Sequence, residues 1–158
     1  RKVSIPAGVD NGNQIRIMGE GQPGVNGGPS GNFYLELEVE PHPYFRRSGN
    51  DILLDVDINI VQAALGDEIT VPTLDGEEKL RIPPGTQPGK VFKLRNKGIP
   101  VLNRNSRGDQ LVTVNVQIPT KLTDEQKALL ESLGKTMGTE IKIQERSFLD
   151  KLKDMLGG

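Results

Sequence analysis

A glycine-rich stretch near the start of the chain has the spacing of a nucleotide-binding loop. Gly19, Gly21 and Gly24 match the Gly-x-Gly-x-x-Gly pattern, in which backbone N–H groups and the N-terminus of a following helix hold a pyrophosphate. Residues 25–31 are Val-Asn-Gly-Gly-Pro-Ser-Gly, and a segment so rich in Gly and Pro does not form a helix. We therefore interpret the stretch as a loop and expect no dinucleotide site.

Three further groups of side chains could carry chemistry, and each has a structural interpretation. His42 is the only histidine and has no Cys, Ser nucleophile or carboxylate cluster near it, which favours a structural role. Asp55 and Asp57 alternate with apolar residues, so we expect them to be solvated on the outer face of a strand. The tripeptide 107–109, Arg-Gly-Asp, matches a cell-adhesion motif, but we interpret it as a turn into a strand. The sequence predicts no enzyme and no metal site.

Aromatic residues are scarce, and two of them are adjacent. The chain has 4 Phe, 2 Tyr and no Trp, with Tyr44 and Phe45 in the run Pro-Tyr-Phe-Arg-Arg. This run lies at the boundary between the two repeated units described below. Phe45 has two interpretations: it packs between the units, or it forms a wall of an apolar groove that binds a partner peptide.

The composition limits the class of partner. With 20 basic and 21 acidic residues the net charge is −1, so no overall positive field would recruit nucleic acid, and no polybasic block indicates a membrane surface. The chain has no Cys, which excludes disulfides and thiolate zinc sites and fits a reducing compartment. We expect no bound metal, no direct nucleic-acid binding and no membrane association.

The strongest pattern is an internal repeat. A shift of 77 positions, without a gap, places Ile15 on Phe92 and Ile17 on Leu94. It also superposes identical Gly and Pro residues at the turns: Pro6 and Pro83, Gly8 and Gly85, Gly12 and Gly89, Gly21 and Gly98, Pro23 and Pro100, Gly31 and Gly108. The sequence therefore predicts two copies of one supersecondary unit, in which residues 3–21 and 80–98 have the same strand–turn–strand structure.

Alternation of apolar and polar residues predicts the strands. Residues 35–39 and 112–116 alternate, as do the shorter stretches around Ile15 and Phe92, which favours half-buried antiparallel strands. Residues 51–61 form a leader strand of the second copy, followed by a helical turn at 62–65 that Gly66 ends. The predicted fold class is therefore all-β, as two tandem, sandwich-like, mainly antiparallel domains.

A hairpin follows the helical turn, and the first copy lacks the leader. Asp75-Gly76 predicts the turn of the hairpin, and Pro72 predicts an edge strand because proline donates no ladder hydrogen bond. Residue Arg1 stands where the leader of the first copy would end. We expect the chain to be a piece of a longer protein, with an exposed apolar face in its first domain.

The C-terminal residues change from strand to helix patterns. Thr123 and Gln126 fit a capping box, and Leu129, Leu130 and Leu133 form an apolar stripe before Gly134, where we expect the helix to end. A second amphipathic helix is predicted after Ser147. Its apolar residues are Phe148, Leu149, Leu152, Met155 and Leu156.

Several of these stretches, in the same order, resemble the C-terminal region of bacterial DnaJ-type J-domain co-chaperones. The resemblance extends from residue 1 to about residue 133. It is carried by these runs: Ile5-Pro6-Ala7-Gly8-Val9, Gly19-Glu20-Gly21, the run 42–51 His-Pro-Tyr-Phe-Arg-Arg-Ser-Gly-Asn-Asp, Gln62-Ala63-Ala64-Leu65-Gly66, Val71-Pro72-Thr73-Leu74-Asp75-Gly76, Ile82-Pro83-Pro84-Gly85-Thr86-Gln87 and Arg107-Gly108-Asp109-Gln110.

The resemblance implies a domain organisation and a set of partners. It implies a truncated first β-domain at 1–47, a second β-domain at 48–120 and a dimerisation segment at 121–158. The family binds zinc through a Cys-rich module that is absent here, so no cofactor is expected. It also implies a cytoplasmic protein that binds non-native polypeptides, forms a homodimer and, in the whole protein, delivers clients to a DnaK-type ATPase chaperone.

The resemblance also implies site residues. Ile15, Ile17 and Phe45 would contact client peptide. The dimer contact would use Leu129, Leu130, Leu133, Phe148 and Leu152. The alternative function is a purely structural dimerisation or spacer module that has lost client binding, and an enzyme acting at the glycine loops has no catalytic residues to support it.

Overall fold

A computed structural model describes residues 2–19, 24, 28 and 31–157, and for residues 148 and 149 it describes only the backbone. The chain divides into two compact units, Arg1–Ile118 and Pro119–Gly158. The finer boundary predicted after residue 47, inside the first unit, stays a prediction. In order along the chain, the elements are β1 Gln14–Ile17, β2 Phe33–Glu36, β3 Phe45–Ser48, β4 Asp51–Asn59, α1 Ile60–Leu65, β5 Asp67–Thr73, β6 Gly76–Ile82, β7 Lys90–Leu94, β8 Gln110–Gln117, α2 Asp124–Met137 and α3 Phe148–Gly157.

A four-stranded sheet of order β3-β4-β8-β7 forms the centre of the first unit. The outer pairs are antiparallel, whereas β4 and β8 are parallel, with Leu54 opposite Val112. Parallel strands need a crossover connection, and α1, the β5–β6 hairpin and β7 lie between these two in the chain. The all-β class and the mainly antiparallel pairing are confirmed; alternation alone did not reveal the parallel pair.

One face of the central sheet carries the core. Ile52, Leu54 and Ile58 on β4 are 3 to 4% exposed, and Val112 and Val114 on β8 are fully buried. The spacing of two along each strand puts these side chains on one face. The predicted apolar face of the leader strand is therefore confirmed over β4, while Ile60 begins helix α1 instead of continuing the strand.

Strands β5 and β6 form a hairpin at the predicted Asp75–Gly76 turn. Pro72 lies opposite Glu77 in this two-stranded sheet, so each strand has one hydrogen-bonded neighbour and the predicted edge position is confirmed. Val71 and Ile82 are each 1% exposed. These two side chains attach the hairpin to the core.

The internal repeat is confirmed in the strand register. Ile15 lies opposite Leu35 in the β1–β2 pair, and Phe92 lies opposite Val112 in the β7–β8 pair. Each residue of the second pair is 77 positions after its counterpart in the first. The same backbone turns accompany the strands, because equivalent residues have positive φ: Gly8 and Gly85, Gly12 and Gly89, Gly19 and Asn96. The predicted pairs at Gly21 and Pro23 lie outside the described residues.

The repeat prediction is wrong at its first strand. Residues 80–82 belong to β6 and pair with β5, whereas residues 3–5 are not in a strand. A strand is defined by hydrogen bonds to a neighbour, and among the described residues no counterpart of β5 lies beside 3–5. The Ile-Pro-x-Gly sequence thus fixes the turn but does not by itself make the preceding strand.

The helix α1 begins two residues earlier than predicted. Asn59 caps it: its side chain accepts a hydrogen bond from the Gln62 N–H, and the Gln62 side chain accepts one from the Asn59 N–H. This reciprocal pair is a capping box. Gly66 ends the helix, as predicted.

The second unit contains α2 and α3. Thr123 and Gln126 form the predicted capping box of α2, but the prediction that Gly134 ends the helix is wrong: α2 continues to Met137, and Gly138, with φ +77°, is the C-cap. A helix ends where the backbone leaves helical dihedrals, which Gly138 does at low cost. Helix α3 begins after Ser147, whose Oγ accepts a hydrogen bond from the Asp150 N–H, as expected.

Candidate functional site

An open cavity of about 560 Å³ lies in the first unit where the two repeats meet. We call it the junction cavity. Its lining residues are Asp10, Asn11, Val39, Glu40, Pro41, His42, Phe45, Arg46, Arg47, Ile52, Leu74 and Ile99. Most of the exposed lining area is apolar, so the cavity fits an apolar side chain or a short extended segment.

Phe45 is the centre of the aromatic lining. It begins β3, lies opposite Leu54 of β4, and is 9% exposed within the core cluster. The His42 ring lies 4.8 Å from the Phe45 ring and 4.5 Å from the Tyr44 ring, between centroids. The three rings therefore form one packed cluster, of which Phe45 connects the core to the cavity.

His42 has a structural role, as the sequence predicted. Its Nδ1 accepts hydrogen bonds from the N–H groups of Tyr44 and Phe45, at 3.3 and 3.2 Å. These bonds close the turn that leads into β3. An imidazole nitrogen occupied in this way is not available as a general base or as a metal ligand.

The two arginines at the rim of the cavity each pair with a carboxylate. Arg47 Nε lies 3.5 Å from Asp10 Oδ2, and Arg46 NH2 lies 3.0 Å from Asp55 Oδ2. Arg46 and Asp55 are both mostly exposed, so their pair adds little stability. Asp55 and Asp57 lie on the exposed face of β4, which confirms that they are solvated. Apart from the Glu40 carboxylate, which also lines the cavity, the apolar surface is the feature that a ligand would meet.

The predicted peptide-binding residues are only partly brought together. Phe45 lines the junction cavity, whereas Ile15 and Ile17, half-buried on β1, are not part of its lining. Nothing in the structure tests whether any of the three contacts a client, so this site stays a prediction.

Leu74 and Ile99 line the cavity and were not among the predicted site residues. Leu74 is 43% exposed at the β5–β6 turn, next to the Asp75-Gly76 signal, and an apolar residue at a polar turn was the available clue. Ile99 lies outside the strands, and the residues around it form no periodic pattern that would indicate its position.

The predicted dimerisation residues lie on the second unit. On α2, Leu129 and Leu133 are exposed and Leu130 is half-buried. On α3, Leu152 is half-buried, and the side chain of Phe148 lies outside the described residues. Their role in a dimer stays a prediction.

The Arg-Gly-Asp tripeptide is used within the fold. Arg107 NH1 pairs with Asp75 Oδ2, and its Nε and NH2 donate to the Gly98 carbonyl. A Cβ on Gly108 would lie 1.9 Å from the Asn50 carbonyl oxygen, so this glycine is required for packing. The Asp109 carboxylate accepts the Asn96 N–H. The predicted entry into a strand is confirmed, because β8 begins at Gln110. The predicted turn is wrong, because Arg107 pairs with Pro100 in a β-bridge and residues 108 and 109 are not in a turn.

Most of the Gly-x-Gly-x-x-Gly stretch lies outside the described residues. Gly19 and Gly24 are described, but residues 20–23 lie outside the described residues. The interpretation as a loop therefore stays a prediction over most of its length.

The resemblance implies a zinc site in the longer proteins of the family, and the residues of this chain do not fit such a site. The chain has no Cys and one His, and that His binds backbone N–H groups through Nδ1. In the part of the chain that the structure describes, no group of three or more His, Cys, Asp or Glu side chains could hold a metal ion. Across the same residues, no helix has the length and apolar character needed to cross a bilayer.

Comparison with known proteins agrees with the resemblance that the motifs indicate. The family model "DnaJ C terminal domain" matches residues 1–119, and "Chaperone protein DnaJ C-terminal region" matches residues 125–158. A protein named "Chaperone protein DnaJ" from Acetivibrio thermocellus is 52% identical over 99% of this chain and 40% of that protein. Another of that name from Roseiflexus sp. is 53% identical over 98% of this chain and 42% of that protein. The chain therefore spans about two fifths of the length of these relatives, and it belongs to the family of DnaJ C-terminal domains.

Proposed function

We propose that this chain is the client-binding and self-associating part of a co-chaperone. In this proposal, an extended apolar segment of a non-native polypeptide occupies the junction cavity, with Phe45 at its base. The observation that carries the proposal is an open, mainly apolar cavity of about 560 Å³ in a member of a chaperone family. A folded protein presents few such segments, whereas an unfolded chain exposes many.

The longer protein would supply the remaining steps. Delivery of the client to a DnaK-type ATPase chaperone, in the cytoplasm, is a proposal for the whole protein, because this chain spans about 40% of its relatives. We propose no enzymatic activity, since the cavity brings together no nucleophile and base. Ile15 and Ile17 on β1 would extend the contact with longer clients.

Leu74 provides the sharpest test of the cavity. We expect Leu74→Ala to weaken binding of a fluorescent apolar peptide by about fivefold or more, since truncating a contact side chain costs about 1 kcal/mol or more. Because Leu74 is 43% exposed, the variant should keep its melting temperature. Leu65→Ala is the matched control: Leu65 is 73% exposed and does not line the cavity.

Phe45→Ala is the second variant in the same titration. It should weaken binding of the peptide by about 2 kcal/mol or more. Because Phe45 is also a core residue, the substitution should lower the free energy of unfolding by about 3 kcal/mol. Equal peptide affinity for wild type, Leu74→Ala and Phe45→Ala would contradict client binding here and favour the alternative, a dimerisation or spacer module in which Phe45 only packs.

A further inference from the structure

The Ile-Pro-x-Gly turn occurs once in each repeat and is held in two different ways. In the second repeat, the Gly85 N–H donates to the carbonyls of Ala63 and Ala64 at the end of α1, at 2.9 and 3.1 Å. In the first repeat the equivalent turn is bound from the outside by an arginine. Arg47 NH1 donates to the Val9 carbonyl at 2.6 Å and NH2 to the Gly8 carbonyl at 3.2 Å.

The Nε donor of Arg47 is also engaged. Its Nε donates to the Gly49 carbonyl at 2.7 Å and lies 3.5 Å from Asp10 Oδ2. The side chain is 22% exposed, so these bonds are partly protected from water. Charge-assisted bonds from a planar guanidinium are the stronger class and fix orientation as well as distance. Arg47 therefore ties β3 to a turn 38 and 39 residues earlier in the chain.

The second repeat also contacts this turn. A Cβ on Gly8 would lie 2.1 Å from the Pro100 carbonyl oxygen and 3.2 Å from the Leu102 nitrogen. Gly8 also has φ +92°, a conformation that glycine adopts at low cost. Its equivalent in the second repeat, Gly85, has no atom within 4 Å of its Cβ position. The contact between Gly8 and Pro100 is therefore particular to the junction of the two repeats.

The turn is rigidly connected to one wall of the junction cavity. Asn11 Oδ1 accepts the Val39 N–H, and the Gly12 N–H donates to the Leu37 carbonyl at 3.0 Å. Asp10, Asn11 and Val39 line the cavity. Any rotation of the turn about its contact with Pro100 would therefore move these lining residues.

We propose that Arg47 is a positioning residue that locks the first repeat against the second and so sets the shape of the junction cavity. The effect on peptide affinity rests on the proposed function. The effect on the junction does not, because it is a property of the free protein and is measured without a ligand.

The test compares Arg47→Met with Arg46→Met, its neighbour on β3, in the full chain. Arg46 is 63% exposed and pairs with Asp55, so its variant removes an arginine from the same strand without touching the turn. Amide hydrogen exchange followed by NMR reports how firmly the turn is held to the wall of the junction cavity. The reporting N–H groups are those of Gly12 and Leu37, whose bonds join residues 12 and 13 to residue 37 next to the β1–β2 pair. The amides of β8 report global stability.

We expect exchange at Gly12 and Leu37 to become about tenfold faster or more in Arg47→Met, the equivalent of losing about one charge-assisted hydrogen bond. It should stay within about twofold of wild type in Arg46→Met. Exchange in β8 should not change in either variant. Arg47→Lys keeps the charge and loses the planar fork, so its exchange should lie between wild type and Arg47→Met. Affinity for an apolar peptide should fall from wild type to Arg47→Lys and again to Arg47→Met.

Unchanged exchange at Gly12 and Leu37 in Arg47→Met would overturn the proposal, whatever happens to peptide binding. Faster exchange combined with no peptide binding by the wild type would keep the positioning role and contradict the proposed function. Loss of β8 protection in both Arg47 variants would show a general stability role and would also overturn the proposal.

Discussion

Gln110 is the most deeply buried polar residue of the sheet. It is fully buried at the start of β8, and its Nε2 donates to the Pro72 carbonyl at 2.8 Å. Within the described residues its Oε1 has no hydrogen-bond partner. The stabilisation from the one hydrogen bond and the cost of the one unpaired buried oxygen are similar in size. The main role of Gln110 is therefore to position the β5–β6 hairpin on the sheet.

Gln110→Glu should make the stability depend on pH. Burial without a counter-charge raises the pKa of the new carboxyl above its unfolded value of about 4.3. The folded variant then binds more protons than the unfolded one, and its stability falls as pH rises from about 5 to 7. We expect a loss of about 3 kcal/mol or more against wild type at pH 7, and a smaller loss at pH 5, by urea denaturation.

Gln110→Met is the control for that experiment. It has a similar volume and no titrating group, and it removes one hydrogen bond, so it should cost about 1 kcal/mol at both pH values. An equal loss for Gln110→Glu at pH 5 and pH 7 would mean that the carboxyl reaches water and that the site is less tightly packed than the structure shows.

At the scale of elements, glycines decide where α1 and the turns fit. Gly66 ends α1 with φ +80° and ψ 160°, a region that is open to glycine and costly for other residues. A Cβ there would lie 2.7 Å from the Ile82 carbonyl oxygen and 2.9 Å from the Pro84 nitrogen. The end of the helix and the end of β6 are therefore packed backbone to backbone.

Gly66→Ala should lower the free energy of unfolding by about 2 to 4 kcal/mol, as the sum of backbone strain and overpacking. Gly89→Ala is the matched control. Gly89 has φ +86° but no atom within 4 Å of its Cβ position. Its substitution should therefore cost only the backbone strain, about 1 kcal/mol. Chemical denaturation of the two variants separates the terms; equal losses would contradict the close contact at Gly66.

At the scale of the whole molecule, α2 carries apolar side chains that its own unit leaves exposed. Leu129, Leu133 and Met137 are 63, 51 and 75% exposed, and their spacing of four places them on one side of the helix. A short helix is marginal without packing. These observations support the proposal that a second copy covers this side, in a two-fold contact where each substitution acts twice.

Leu130→Asp or Leu133→Asp should therefore convert a dimer into a monomer while the β-structure remains folded. Sedimentation velocity measures the mass in solution, and circular dichroism measures the secondary structure. Ala128→Asp introduces the same charge on the opposite side of α2 and should leave the dimer intact. A wild type that is monomeric at tens of micromolar would refute the idea, and unfolding of the Leu133 variant would mean that the stripe packs within its own chain.

The sequence alone determined the elements whose signals are local. Gly and Pro at fixed positions determined the turns, and alternation determined β1, β2, β4, β7 and β8. The 77-residue shift determined that β1–β2 and β7–β8 have one register. Thr123 determined the start of α2. These predictions succeeded because turn dihedrals and strand faces depend on residues within a few positions of each other.

Only the tertiary structure decided what depends on distant residues. Residues 3–5 and 80–82 have similar sequences, yet only 80–82 form a strand, because β5 lies beside them. Arg47 holds the Gly8 turn across 39 residues of sequence, and Leu74 and Ile99 meet Phe45 in one cavity. Such contacts leave no periodic pattern in the chain, since they arise where separate elements pack. The repeat predicts two equivalent units. The junction between them, which contains the candidate site, is formed by packing and has no equivalent within either unit.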